Sequence, residues 1–407
     1  MKRILSLILA LVLLLSCASF AAADEKPTIT VWMPVYQFGD GPDDLTFWNE
    51  HLADFAAANN CNIVVEIKPW TDYYTVAYTA MAGTDGPDVV YGPNFDFVNN
   101  GLCLPLDEYF TEEEKANMLY WNSGIAKDGQ MYTAPMMVGN AVAIFFNMDI
   151  LNAAGITEMP ATWEDFIAMC KTVQAANLEG VKPFLLNLGA SSGSSALLTG
   201  FWPFYLSAGG KILDENGYPD INNEAGLKTL EFLKALVDEG IFDESIVAED
   251  GAVGMFEEGK LAAVMNGTGK SKSFGDYAWD YKVALEGPGG SYTTVAAEGL
   301  GVNVKTKNPE LAVGVLKEML AAKSMDDFFT QVYSMAKISA DSTYVDPVFD
   351  DLYSGQADHL LASAEFEGKG SFENTLLSNI QLMLMGDMEP QEVLDETMAY
   401  YNDQIRQ

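Results

Sequence analysis

Thr28-Ile-Thr-Val-Trp-Met33, Ile63-Val-Val-Glu-Ile67 and Asp88-Val-Val-Tyr91 are short runs of β-branched and aromatic residues, each separated from the next by a segment long enough for a helix. Residues 47–59 and 73–82 read as those helices, so the chain opens with a βαβαβ unit. A helical crossover carries the chain back before the next strand begins, and neighbouring strands are therefore expected to run parallel. Ligands of such sheets bind beyond the carboxyl ends of the strands. Residues 34–44 and 92–97 become candidate site loops from geometry alone.

The alternation continues outward from this unit. Thr162 followed by Asp165 is close to a capping box, and Phe166, Ile167, Cys170 and Val173 trace one face behind it. Leu227, Leu230, Leu233 and Val237 trace a helix that ends near Gly240. Asn308-Pro309 opens another, and Pro390 opens a terminal one bearing Val393, Leu394, Tyr401 and Ile405. Asn216-Gly217 is a hairpin signal. The acids around it lack the distal bidentate glutamate of a calcium loop, so residues 213–218 read as a solvated turn. The chain has no internal repeat and no low-complexity tract, and its fold class is α/β.

Upstream, Lys2 and Arg3 precede an apolar run over residues 4–15, and Ala21-Ala22-Ala23 precedes Asp24, the layout of a secretory signal over residues 1–23. The run is shorter than the roughly 20 residues of a membrane span. Leu14-Leu-Ser-Cys17 also resembles a lipobox, with Leu15 where a small residue is usual, so two routes stand open: cleavage after Ala23, or lipidation of Cys17. Cys61, Cys103 and Cys170 are widely spaced and odd in number, and they read as small buried hydrophobes. The 407 residues include 22 basic and 58 acidic side chains, a net charge of −36 that becomes −38 when Lys2 and Arg3 leave with the signal. Nucleic acid, which needs a cationic footprint, is excluded as a partner. The ligand is expected to be neutral or cationic. His51 and His359 are the only histidines, and no metal or cofactor is expected.

Further pieces recur in a telling order. They are Ile29-Thr-Val-Trp32, Gly83-Thr-Asp-Gly-Pro-Asp-Val-Val90, Gly101-Leu-Cys-Leu-Pro-Leu-Asp107, Asp128-Gly-Gln-Met-Tyr-Thr-Ala-Pro135 and Phe145-Phe-Asn-Met-Asp-Ile-Leu151. Ala154-Gly155, Thr162-Trp163, Ala208-Gly-Gly210, Phe256-Glu-Glu-Gly-Lys260 and Lys305-Thr-Lys-Asn-Pro-Glu310 with Ala312 follow. In this series the chain resembles the extracellular solute-binding proteins of carbohydrate-uptake ABC transporters, the group that includes the maltose-binding protein. The resemblance implies a two-lobe periplasmic-binding-protein fold whose cleft captures a sugar or sugar-like solute for delivery to ABC permease subunits. It implies a monomer without catalytic activity, outside the cytoplasm. A non-sugar solute such as a polyamine or peptide is the alternative. The chain departs from the family at Phe146, where tyrosine is usual, at Thr268-Gly269, where an aromatic often follows Asn266-Gly267, and at Gly92-Pro93-Asn94, where tryptophan can stand.

One lobe is expected to hold residues 27–135 and 289–330, the other residues 136–288 and 331–407, with crossings near 135–142, 281–285 and 332–341. A sugar presents C–H faces and dense hydroxyls, so its cleft calls for aromatic platforms and for acid or amide groups. Tyr36 and Gln37 after the first strand, Asn94 and Asp96 after the third, Asn140 at the first crossing, Trp202, and Glu298 before the strand-like residues 300–304 are the candidates. Phe372 and Glu373 join them where the resemblance places the last cleft segment. Trp202, in an aromatic cluster with Phe201, Phe204 and Tyr205, has the core as its alternative location. Asp96 and Glu298 are expected to serve the solute while leaving the stability of the unliganded fold nearly untouched. Gly189-Ala-Ser-Ser-Gly193 matches a nucleophile elbow, with Ser191 as nucleophile and His359 downstream, but no His-Gly-Gly oxyanion segment accompanies it. Gly267-Thr-Gly-Lys-Ser271 is half a phosphate loop that lacks its first glycine at Val264. Glu112, Glu113 and Glu114 read as a solvated helix start rather than paired glycosidase acids.

Overall fold

β1 (Thr28–Pro34) pairs in parallel with β2 (Asn62–Lys68), Thr28 opposite Asn62, and with β3 (Val89–Tyr91), Val31 opposite Val89. These facts come from a computed structural model that describes residues 26–36, 43–186, 188, 196–242, 251–332 and 334–406. Further strands are β4 (Ala126–Lys127), β5 (Gln130–Met131), β6 (Thr133–Gly139), β7 (Val142–Asn147), β8 (Lys182–Leu185), β9 (Leu261–Gly267), β10 (Trp279–Lys282), β11 (Thr293–Val302) and β12 (Leu360–Ala362). One sheet has the order β12-β11-β3-β1-β2, with β6 antiparallel beside β11. A second has the order β10-β7-β9-β8, and β4 with β5 forms a small ribbon.

The pleat of β1 explains how its sheet is covered on both sides. Ile29, Val31 and Met33 join a core cluster with Phe47, Trp48 and Leu52 of the helix Asp44–Ala58. Trp32, whose side chain points to the opposite face, meets Ala77, Met81, Val90 and Phe97 in a separate cluster. Around the second sheet Phe145, Phe146, Phe166, Phe184 and Phe256 are all fully buried. Cys61, Cys103 and Cys170 are buried and unpaired.

Side-chain chemistry sets the helix ends. The Asp43 carboxylate accepts the Thr46 N–H at 2.7 Å and starts Asp44–Ala58. Thr162 and Asp165 close a reciprocal capping box at the head of Trp163–Ala176. Pro309 and Pro390 stand in the first turns of Pro309–Met319 and Pro390–Gln404, where a missing N–H has no intrahelical partner to lose. In the turn over residues 213–218 the Asp214 carboxylate accepts the N–H groups of Asn216 at 2.8 Å and Tyr218 at 2.9 Å. Among the described residues no helix is long and apolar enough to cross a membrane.

The chain passes from the first sheet to the second between Gly139 and Val142, where β6 gives way to β7. Asn140 takes a left-handed backbone there, φ 47°, and its N–H donates to the Ser334 carbonyl at 2.8 Å. The buried Tyr353 hydroxyl donates to the same carbonyl at 2.7 Å, accepts the Ala141 N–H at 3.2 Å and meets Thr268 Oγ1 at 3.0 Å. Thr293, which opens β11, donates its hydroxyl to the Val142 carbonyl at 2.7 Å. One hydrogen-bonded knot thus gathers the segments that run between the sheets.

Candidate ligand cleft

The carboxyl end of β3 builds one wall. Tyr91 ends the strand, and Gly92 turns the chain at φ +63° with the Tyr74 ring so close that a Cβ would lie 2.9 Å from it. Asn94 then caps the short helix Phe95–Asn99 by accepting the Asp96 N–H at 3.1 Å. Beside this loop, β11 carries a bulge between Glu298 and Gly299. The Glu298 carboxylate accepts the Tyr74 hydroxyl at 2.5 Å, and the Tyr91 hydroxyl donates to its other oxygen. Burial first, then the Glu298 charge, raises the pKa of Tyr74 far above the usual phenol range, so it remains a neutral donor.

The facing wall is the segment from Ala362 to the start of the helix Lys369–Leu384. Lys369 bonds Glu365 at 2.6 Å and Ser363 at 3.0 Å. One turn on, Glu373 is only 7% exposed, and it accepts the Trp202 indole N–H at 3.3 Å. Burial raises the pKa of this carboxyl. A cavity of about 770 Å³ lies between the walls, a volume within the range of small-molecule sites.

Asn94, Asp96, Glu298 and Glu373 come together around this cavity, although they lie far apart in sequence. Tyr36 stands behind the first wall, edge-on to Trp70, Tyr91 and Phe328 with centroids 5.7, 6.0 and 5.2 Å away. Its buried hydroxyl has no hydrogen-bond partner among the described residues. Trp202 is 1% exposed, in the core beneath Glu373. Phe372 is fully buried edge-to-face against Phe366 and Tyr401. Asn140 is not among the lining residues, and its side-chain oxygen accepts the Gly269 N–H at 3.0 Å. Gln37, Ser191 with the rest of its Gly-x-Ser-x-Gly segment, and Cys17 lie outside the described residues.

Residues not singled out by sequence reasoning complete the site. Trp70 is 40% exposed and groups with Tyr73, Tyr74, Tyr91 and Tyr36. It follows the carboxyl end of β2, so the rule that marked the loops after β1 and β3 also reaches it. Glu365 and Lys369 carry no comparable local signal. Of the rival motifs, the half phosphate loop commits its Gly269 N–H to Asn140, and Glu114 closes a capping box with Thr111.

Residues 39–326 match the family described as bacterial extracellular solute-binding protein. The chain belongs to that family. Among relatives of this solute-binding protein, a binding protein of Brucella abortus is 24% identical over 403 residues, 95% of each chain. The galactooligosaccharide-binding protein of Bacillus subtilis is 24% identical over 64% of this chain and 62% of its own. Among solved structures, the cyclic alpha-maltosyl-1,6-maltose binding protein of Arthrobacter globiformis aligns with a TM-score of 0.77 at 17% identity, covering 93% of this chain and 98% of that one. An ABC substrate-binding protein of Listeria monocytogenes in complex with cycloalternan aligns at 0.72 and 18% identity, over 93% and 98%. At these identities the structural likeness shows the fold: this solute-binding protein has the α/β periplasmic-binding-protein architecture.

Proposed function

We propose that this solute-binding protein is the exported receptor of an ABC importer, capturing an oligosaccharide in the cleft between the two walls described above and handing it to membrane permease subunits. It acts as a monomer, without catalysis or cofactor, and is held at the membrane if Cys17 is lipidated. The observation that carries this reading is the cavity of about 770 Å³, which has carboxylates and an amide on its walls and is lined by Tyr74, against whose ring the exposed Trp70 packs. That combination offers a face for sugar C–H groups and acceptors for hydroxyls. The sugar-binding names carried by relatives support the same class. We take the walls to belong to lobes of residues 27–135 with 289–330 and residues 136–288 with 331–407, joined by crossings near 135–142, 281–285 and 332–341. Asn94, Asp96, Glu298 and Glu373 serve as direct ligand contacts. Tyr36 and Trp202 back them.

Calorimetry with di- to tetrasaccharides tests the proposal. At least one should bind, and Trp70→Ala should weaken that binding about tenfold, near 1.4 kcal/mol. Saturable binding of a peptide or polyamine with no saccharide response would replace this reading with its non-sugar alternative. Labelling of Ser191 by a fluorophosphonate together with turnover of a simple ester would refute the absence of catalysis.

A further inference from the structure

We propose that the solute carries a basic nitrogen, as an amine-bearing saccharide whose ammonium is received by Glu373. This rests on the saccharide reading and narrows its class. Among the described residues, four carboxylates, Asp96, Glu298, Glu365 and Glu373, and one ammonium, Lys369, are the charged groups that line the cavity. Lys369 is committed to Glu365 and Ser363. Glu298 accepts hydrogen bonds from the neutral Tyr74 and Tyr91 hydroxyls, which bring no compensating charge. Glu373 is more than nine-tenths buried, and it receives the neutral indole N–H of Trp202.

The two walls also act on one another. Tyr74 on the first wall is influenced by both Glu298 beside it and Glu365 opposite, and Glu365 also acts on Glu373. Lys369 offsets part of that effect at Glu373, but it does so from within its pair with Glu365. When solute displaces water from between the walls, the screening that lets these like charges coexist falls. A neutral solute leaves the excess in place, a uronate adds to it, and an ammonium removes it. A bare metal ion is a poor substitute, because among the described residues no three ligating side chains converge on one point. The positive charge must therefore arrive on a molecule large enough to fill the cavity. Trp202 is then a positioning residue that holds one oxygen of Glu373 and leaves the other for the solute.

Calorimetry on matched disaccharides decides the matter. Neutral, 2-amino-2-deoxy and uronic forms of α-1,4 and β-1,4 linked hexoses are titrated into the wild-type protein and into Glu373→Gln, which keeps an acceptor for Trp202. We expect an amino form to bind best, by about tenfold over its neutral counterpart, and Glu373→Gln to abolish that preference by weakening amino binding about tenfold more than it weakens neutral binding. Added salt should weaken amino binding to the wild-type protein and spare neutral binding, a readout that needs no variant. If neutral forms bind as tightly as amino forms, or if the substitution weakens both equally, the amine inference falls and the saccharide reading stands. If no form binds while other solutes do, both fall.

Discussion

Trp202 and Glu373 are a single unit at the residue scale. An indole that is 1% exposed fills space in the core, and its N–H bonds a carboxylate that faces the cavity. Trp202→Ala should therefore destabilise the unliganded protein by about 3–5 kcal/mol; urea unfolding checks this, and a loss below about 1 kcal/mol would place the ring outside the core. Glu373 is opposite in sign. Its pKa is raised by burial, so the folded state holds a proton that the unfolded chain has already released, and stability falls as pH climbs from the ordinary carboxylate range, about 4.3, through the raised value. Glu373→Gln should consequently raise the melting temperature at neutral pH, and that advantage should fade toward pH values below about 4. An equal gain across the whole range would point to packing and not charge. Glu298 corrects the expectation that it matters only to solute. By accepting the Tyr74 and Tyr91 hydroxyls it also satisfies the first wall, so removing it leaves two donors to find new partners.

At the scale of elements, the reciprocal cap bonds between Thr162 and Asp165 are exposed, and neither residue lines the cavity. Thr162→Ala should cost about 1 kcal/mol of stability and leave solute affinity unchanged. Chemical denaturation and calorimetry on the same variant separate these outcomes, and a change in affinity would show that Trp163–Ala176 is coupled to the cleft. The strand ends have a different role. β2 and β3 deliver Trp70 and Asn94, while the bulge in β11 brings Glu298 to the same wall, so the first wall is an outcome of strand order within one sheet. The facing wall is held by the packing of Lys369–Leu384 against Pro390–Gln404, where Phe366, Phe372 and Tyr401 lock together.

For the whole molecule, we propose that the two lobes close about the crossing segments when solute binds, because a solute held by both walls gains contacts from each. We expect the radius of gyration measured by small-angle X-ray scattering to shrink on saturation with solute. No change, with binding confirmed by calorimetry, would mean that the cleft is already closed or that solute sits on one wall. The opening βαβαβ unit, its parallel pairing, the capped helices and the loop after β3 were legible in the sequence. Each depends on neighbours within a few residues or on the period of one element. The family resemblance likewise rests on pieces read in order along the chain. Only the tertiary structure decided that Trp202 and Phe372 lie inside, that Glu298 is shared between Tyr74 and Tyr91, and that Glu365, Lys369 and Glu373 face them across a cavity. The hydrogen bond from Tyr74 to Glu298 alone joins residues 224 positions apart. Such pairings follow from sheet order and from which chain segments cross between sheets, and no local propensity encodes them.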